Sequence, residues 1–73
     1  MIKYFVFCRA AAWWVGFDGR YFGPYASREA AVAAAIGSAE VCVAEGAPAR
    51  VMAEGRFGGF LTIWTADDAL RAA

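Results

Sequence analysis

One stretch of this chain, residues 27–46, carries a long helical signature, and strand-like runs lie on both sides of it. Ser27 is a good N-cap, and Glu29 falls in the first turn, where the helix dipole favours a carboxylate. Alanine dominates residues 28–45, so intrinsic helix propensity is high. Gly46 stands where a left-handed C′ residue is needed. Eighteen helical residues span about 27 Å, the length of a small domain. A single helix of that length can cover only one face of a sheet, so whatever lies on the other face needs its own explanation. Val32, Ile36, Ala39 and Val43, with Ala35 and Cys42, form the expected core stripe. Ala31, Ala34, Ser38, Val41 and Glu45 make the opposite, weakly polar side. Gly37-Ser38 in mid-helix costs about 1 kcal/mol against alanine, which predicts a close packing contact there.

The strands are marked by composition and by turn chemistry. Residues 2–9 contain Tyr, Phe, Val and Phe in succession, all strong strand formers. Tyr4, Val6 and Cys8 alternate with Phe5 and Phe7, so both faces of this strand are apolar, unlike a strand with one solvated side. Residues 13–17 and 20–25 flank Asp18-Gly19, the dipeptide that best supplies the two positive φ angles of a type I′ hairpin turn. That turn sets the register: Phe17 opposite Arg20, Val15 opposite Phe22, Trp14 opposite Gly23. Trp13, Val15, Phe17 and Phe22 then share one face, and Trp14, Tyr21 and Tyr25 the other. Pro24 ends the second hairpin strand because it cannot donate to a ladder. After Pro48, residues 49–54 and 60–65 read as two further strands joined by the glycine-rich run 55–59. Residues 67–72 predict a short helical turn.

Length and composition set the scale. Seventy-three residues make one domain, 1–73. A domain of this size buries only roughly 60% of the surface its unfolded chain exposes. Yet 62% of the residues are hydrophobic and 16% aromatic, with 19% charged. That is more apolar side chain than a small monomer easily hides, and an interface is the natural outlet. Lys plus Arg balance Asp plus Glu at seven each, so net charge is zero. The basic residues are scattered along the sequence, which argues against nucleic acid, and the absent net charge favours association. No apolar run reaches the length of a membrane span. The apolar run 4–8 is shorter than the roughly 7–15 residues of a secretion signal. A cytoplasmic location away from membranes is expected.

Chemistry is sparse. The chain has no histidine, which removes the commonest general base and metal ligand. Cys8 and Cys42 are too few for a disulfide framework or a zinc site, and both are expected as small buried thiols. A bridge between them is left open. Asp18 has a turn role, Glu29 a capping role, and Asp67 and Asp68 diverge on any helix. Residues 55–59 match no phosphate-binding loop. No catalytic residue, metal or cofactor is expected. The informative set is Phe5, Phe7, Trp14 and Tyr21, with Arg9 nearby. Such a set can form a dimer core, stack the bases of a single strand, or lie buried within the chain's own fold.

The run from Phe22 through Gly-Pro-Tyr-Ala-Ser-Arg-Glu-Ala to Ala35 is similar to sporulation-related repeat domains, which bind peptidoglycan glycans. There a strand ends in Gly-Pro-aromatic before a capped helix. Here the spacing is one residue shorter, and residues 67–73 are too few for the second helix those domains carry. Over most of the chain the sequence resembles a family of small bacterial proteins of unknown function. The shared features are Tyr4-Phe-Val6, Trp13-Trp-Val15, the capped 27–30 segment and the glycine-containing hairpin 51–59. That resemblance implies a ββαββ-type fold and no defined activity.

The expected fold is therefore α+β: an antiparallel sheet of four or five strands, in the order β-β-β-α-β-β, with one long helix on one face and a short C-terminal helical turn. The expected function is a non-enzymatic interaction module that forms a homodimer, or binds an unidentified protein, through Phe5, Phe7, Arg9, Trp14 and Tyr21. The alternative is single-stranded nucleic-acid or glycan binding through the same residues.

Overall fold

The computed structural model describes residues 2–66, and the turn expected over residues 67–72 lies outside them. Three strands come first: β1 (Ile2–Arg9), β2 (Ala12–Phe17) and β3 (Arg20–Tyr25). Helix α1 (Arg28–Ala44) follows, and then β4 (Ala49–Gly55) and β5 (Gly58–Thr65). The strands form one five-stranded sheet in the spatial order β3-β2-β1-β4-β5.

The sheet is mixed, which corrects the purely antiparallel expectation. β1 pairs antiparallel with β2, β2 with β3, and β4 with β5. β1 and β4 pair parallel, with Tyr4 beside Val51 and Phe5 beside Met52. The helix explains this. A strand, a helix running back across the sheet and a second strand leave the two strands pointing the same way. β3 points as β1 does, because two antiparallel steps separate them, so β4 enters parallel to β1. β1 is central, in keeping with apolar residues on both of its faces.

Local chemistry fixes the element ends. The Ser27 hydroxyl accepts from the Ala30 N–H at 3.1 Å, as an N-cap should. At the other end Gly46 has φ 89°. The Gly46 N–H donates to the Val43 carbonyl and the Ala47 N–H to the Cys42 carbonyl, both at 2.9 Å. These two bonds are the Schellman pattern and satisfy the last carbonyls. Asp18 and Gly19 have φ 51° and 75°, the positive pair of a type I′ turn. The β1–β2 turn uses the same conformation without glycine, with Ala10 at φ 55° and Ala11 at φ 61°.

The core lies between α1 and one face of the sheet. Val6 and Val51 are its largest fully buried side chains, with Tyr4 and Val15 beside them. Tyr4 stacks on Phe17 at a centroid separation of 4.6 Å and 17° between ring planes. From the helix, Ala31, Ala35 and Ala39 are buried, while Val32, Ile36, Cys42 and Val43 pack around them. Ala31 thus belongs to the core rather than to the outer side. Residues 31, 35 and 39 form one i, i+4 ridge. Its small side chains bring the helix close to the sheet, whose own bulky residues fill the space.

Three further expectations are corrected. Cys8 is exposed and Cys42 half-buried, where both were expected as buried thiols. Nothing approaches within 4 Å of a Cβ built at Gly37, so no close contact accounts for the mid-helix glycine. Tyr25 packs on the helix side with Trp13. The β2–β3 ladder slips between Trp13 and Val15. Two residues, Gly23 and Pro24, oppose Trp14 there, and the extra residue turns Tyr25 to the other face. No helix among the described residues is long and apolar enough to cross a membrane.

Candidate interaction face

The face turned away from α1 is built by strict alternation. In β1 the residues between Tyr4 and Val6 or beyond them, Lys3, Phe5, Phe7 and Arg9, point away from the helix. In β4 the buried set is Ala49, Val51 and Ala53, so Arg50, Met52 and Glu54 take the open side. Two cross-strand rows result. One runs Tyr21–Gly16–Phe5–Met52–Thr62 across all five strands. The other places Trp14 beside Phe7 and Glu54 beside Phe60.

The rings hold one another in edge-to-face pairs. Phe5 and Phe60 lie 5.2 Å apart at 80°, and Phe7 and Tyr21 5.5 Å apart at 77°. This is the arrangement that ring quadrupoles favour. Arg9 sits over Phe7, with its guanidinium carbon 5.4 Å from the ring centroid, within cation–π range. The Trp14 Nε1–H donates to the Arg9 carbonyl at 3.1 Å. That bond fixes the indole across Gly23, where a Cβ would come within 3.1 Å of Trp14 Cε3. All five residues expected from the sequence, Phe5, Phe7, Arg9, Trp14 and Tyr21, are therefore on one face; Phe7, Arg9, Trp14 and Tyr21 are linked through these pairs, whereas Phe5 pairs with Phe60.

Gly16 is the floor of this face. It is buried although it points away from the helix, because Phe7 and Tyr21 close over it. Above it lies a hollow of about 360 Å³ lined by Phe5, Phe7, Tyr21 and Phe60, with Arg9 and Glu54 on its rim. A second, of about 210 Å³, lies between Phe7, Ala10, Trp14 and Tyr21. Tyr21 is 69% exposed and Phe60 40% exposed, so these aromatic surfaces remain in water.

Sequence reasoning missed Met52, Glu54, Phe60, Lys3 and Arg50 on this face. The alternation of β4 carried the signal, but which of its faces meets the helix was open until the alanines were seen buried. The missed residues alter the electrostatics. Lys3 and Arg50 are register neighbours, and with Arg9 they outnumber Glu54 and Asp18, the acidic residues that line the hollow. The Glu54 carboxylate accepts from the Cys8 N–H at 3.3 Å. Among the described residues, Arg50 Nε is buried without a hydrogen-bond partner. The helix carries Arg28 against Glu29 and Glu40. A chain with zero net charge is thus polarised, basic on the open face and acidic on the helix.

Among the described residues, no three His, Cys, Asp or Glu side chains gather to hold a metal ion. Compared with known proteins, the chain matches no family model, no curated protein and no solved structure.

Proposed function

We propose that this protein is a non-enzymatic interaction module that self-associates through its open sheet face. The observation that carries this is the one-sided placement of α1, which leaves Phe5, Phe7, Trp14, Tyr21, Met52 and Phe60 without a covering layer among the described residues. Five strands about 4.8 Å apart and six residues of about 3.3 Å each give a patch of roughly 480 Å² in projection. Protruding rings raise its accessible area toward the about 800 Å² per partner of a stable complex. Its ring-rich centre with charge at the rim matches the anatomy of protein interfaces. Light scattering at micromolar concentration tests the proposal. The native chain is expected above monomer mass, and Tyr21→Glu, which charges an exposed position, is expected to lower that mass. A native monomer overturns the proposal.

The placement of Lys3, Arg9 and Arg50 beside these rings favours a second reading, single-stranded nucleic-acid or glycan binding. Rings that stack bases and cations that follow a phosphate backbone are the two components of such sites. Binding to an oligonucleotide that weakens steeply with salt and disappears in Trp14→Ala supports it. Affinity below detection at low salt removes the nucleic-acid form.

A further inference from the structure

The two edges of the sheet are treated differently. β3 begins with the charged Arg20, holds Gly23 at φ 138°, and contains Pro24, which has no N–H to offer a neighbour. Charge, proline and a bulge are the devices by which edge strands avoid unwanted pairing. β5 has neither charge nor proline: its residues are Gly-Gly-Phe-Leu-Thr-Ile-Trp-Thr. It pairs with β4 on one side, and no described strand lies on the other. Apolar exposure is concentrated here. Leu61 is 67% exposed, Phe60 40% and Ile63 37%, and Phe57 in the turn before the strand is 97% exposed. The helix packs mainly over β1, β4 and β2, with less contact to β3, and from β5 Trp64 reaches the core it covers. The β4–β5 ladder slips at Ile63 and at Gly59, so the regular part of the edge is residues 60–62.

We infer that β5 is a second contact surface, and that its occupant is β5 of another copy, paired antiparallel about a two-fold axis perpendicular to the sheet. This goes beyond the face contact. A strand added to an edge contributes main-chain hydrogen bonds, and its side chains must match on both sheet faces. The identical strand does so. The two-fold sets Leu61 beside Leu61 of the second copy on the helix side, and on the open side Phe60 of each copy beside Thr62 of the other. No charge on either strand is buried or opposed to its like. Because the regular edge is short, side-chain burial supplies most of the affinity. The contact also continues the open face, since Phe60 belongs to both, and it joins two aromatic faces into one surface. Face and edge contacts are each two-fold with perpendicular axes, and with these axes intersecting the assembly closes as a tetramer of dihedral symmetry.

The test compares the masses of the native chain, Leu61→Lys, Tyr21→Glu and the double variant by light scattering, with circular dichroism to confirm folding. Leu61 is exposed, so the lysine is expected to leave the fold intact and to place an edge-guarding charge. Four chains are expected for the native protein, two for each single variant and one for the double. A Leu61→Lys mass equal to native overturns the edge contact and leaves the face reading standing. A halved mass for Leu61→Lys with none for Tyr21→Glu upholds the edge and overturns the face. Hydrogen exchange gives a second readout. Those amides of residues 60–63 that point away from β4 are expected to be protected in the native assembly and to lose protection in Leu61→Lys. Protection retained in the variant means that residues 67–73 of the same chain cover the edge, and this overturns the inference.

Discussion

The Tyr4 hydroxyl lies 3.4 Å from the Cys42 thiol, so the central strand and the helix share a polar contact within an apolar seam. Burial, reinforced by the thiol, pushes the Tyr4 phenol up from its ordinary value near 10 to about 12. The folded state therefore holds this proton more tightly than the unfolded state. Its contribution to stability is fully present below pH 10 and is lost as pH rises toward 12. Denaturant melts across that interval are expected to show falling stability, and Tyr4→Phe is expected to flatten the decline. An unchanged slope in Tyr4→Phe contradicts the assignment.

The β1–β2 turn is a target for stabilisation. Ala10 and Ala11 both occupy left-handed conformations, which cost an ordinary L residue roughly 1–2 kcal/mol. Asn-Gly is the pair that a type I′ turn prefers. Ala10→Asn combined with Ala11→Gly is expected to stabilise the fold by about 1–2 kcal/mol. A thermal midpoint at or below native refutes this.

Two strand glycines are expected to behave oppositely. A Cβ at Gly23 would lie 3.0 Å from the Trp13 carbonyl oxygen and 3.1 Å from the Trp14 ring, on backbone at φ 138°. Gly23→Ala is expected to cost about 1–3 kcal/mol. At Gly16 the nearest atoms are ring carbons of Phe7 at 3.4 Å and Tyr21 at 3.6 Å, and φ is ordinary. Gly16→Ala is expected to be neutral or slightly stabilising, because glycine weakens a strand. Chemical denaturation of both variants checks the contrast.

The alanine ridge of α1 sets how close the helix sits. Ala35 is fully buried against the sheet, whereas Ala33 is exposed. Ala35→Leu is expected to destabilise by about 1–3 kcal/mol through overpacking. Ala33→Leu serves as the control, within about 0.5 kcal/mol of native. Equal effects at the two sites mean that the ridge does not set the spacing.

Much of this fold was legible locally. Ser27, Gly46 and Asp18-Gly19 each announce a single backbone geometry, and the helix and the first hairpin follow from them. The open face was legible in part: the Asp18-Gly19 turn puts Trp14 and Tyr21 on one side, but the turn that brings Phe5 and Phe7 to that side is Ala10-Ala11, which carries no such signal in sequence. The partnership of β1 and β4 was not. Hairpin turns specify neighbours in sequence, and nothing local to β4 names the strand it will join. The helix between β3 and β4 did carry the direction, since a crossover of that kind leaves its two strands parallel. Tyr25 escaped because a bulge shifts one residue and exchanges every side beyond it. Of the alanine ridge, Ala35 and Ala39 were read as core, and Ala31 escaped because hydrophobic periodicity weights large residues, while the sheet supplies the bulk here. The charge polarity of the open face escaped because it depends on β4, whose inward side is chosen by packing.

The parallel seam between β1 and β4 has a consequence for how the molecule comes apart. It joins Ile2 to Ala49 and Val6 to Ala53, pairs far apart in sequence, whereas every other pair of adjacent strands is linked by a turn of two residues. Contacts of that kind form late, because a long loop must close before they are rewarded. The chain is thereby divided into a three-stranded unit and a two-stranded unit, tied by the helix and by one seam. Opening that seam exposes the apolar edge of β1 together with that of β4. A second molecule opened in the same way offers each its complement, so exchange of the β4–β5 unit between chains is the misassembly this topology invites at high concentration.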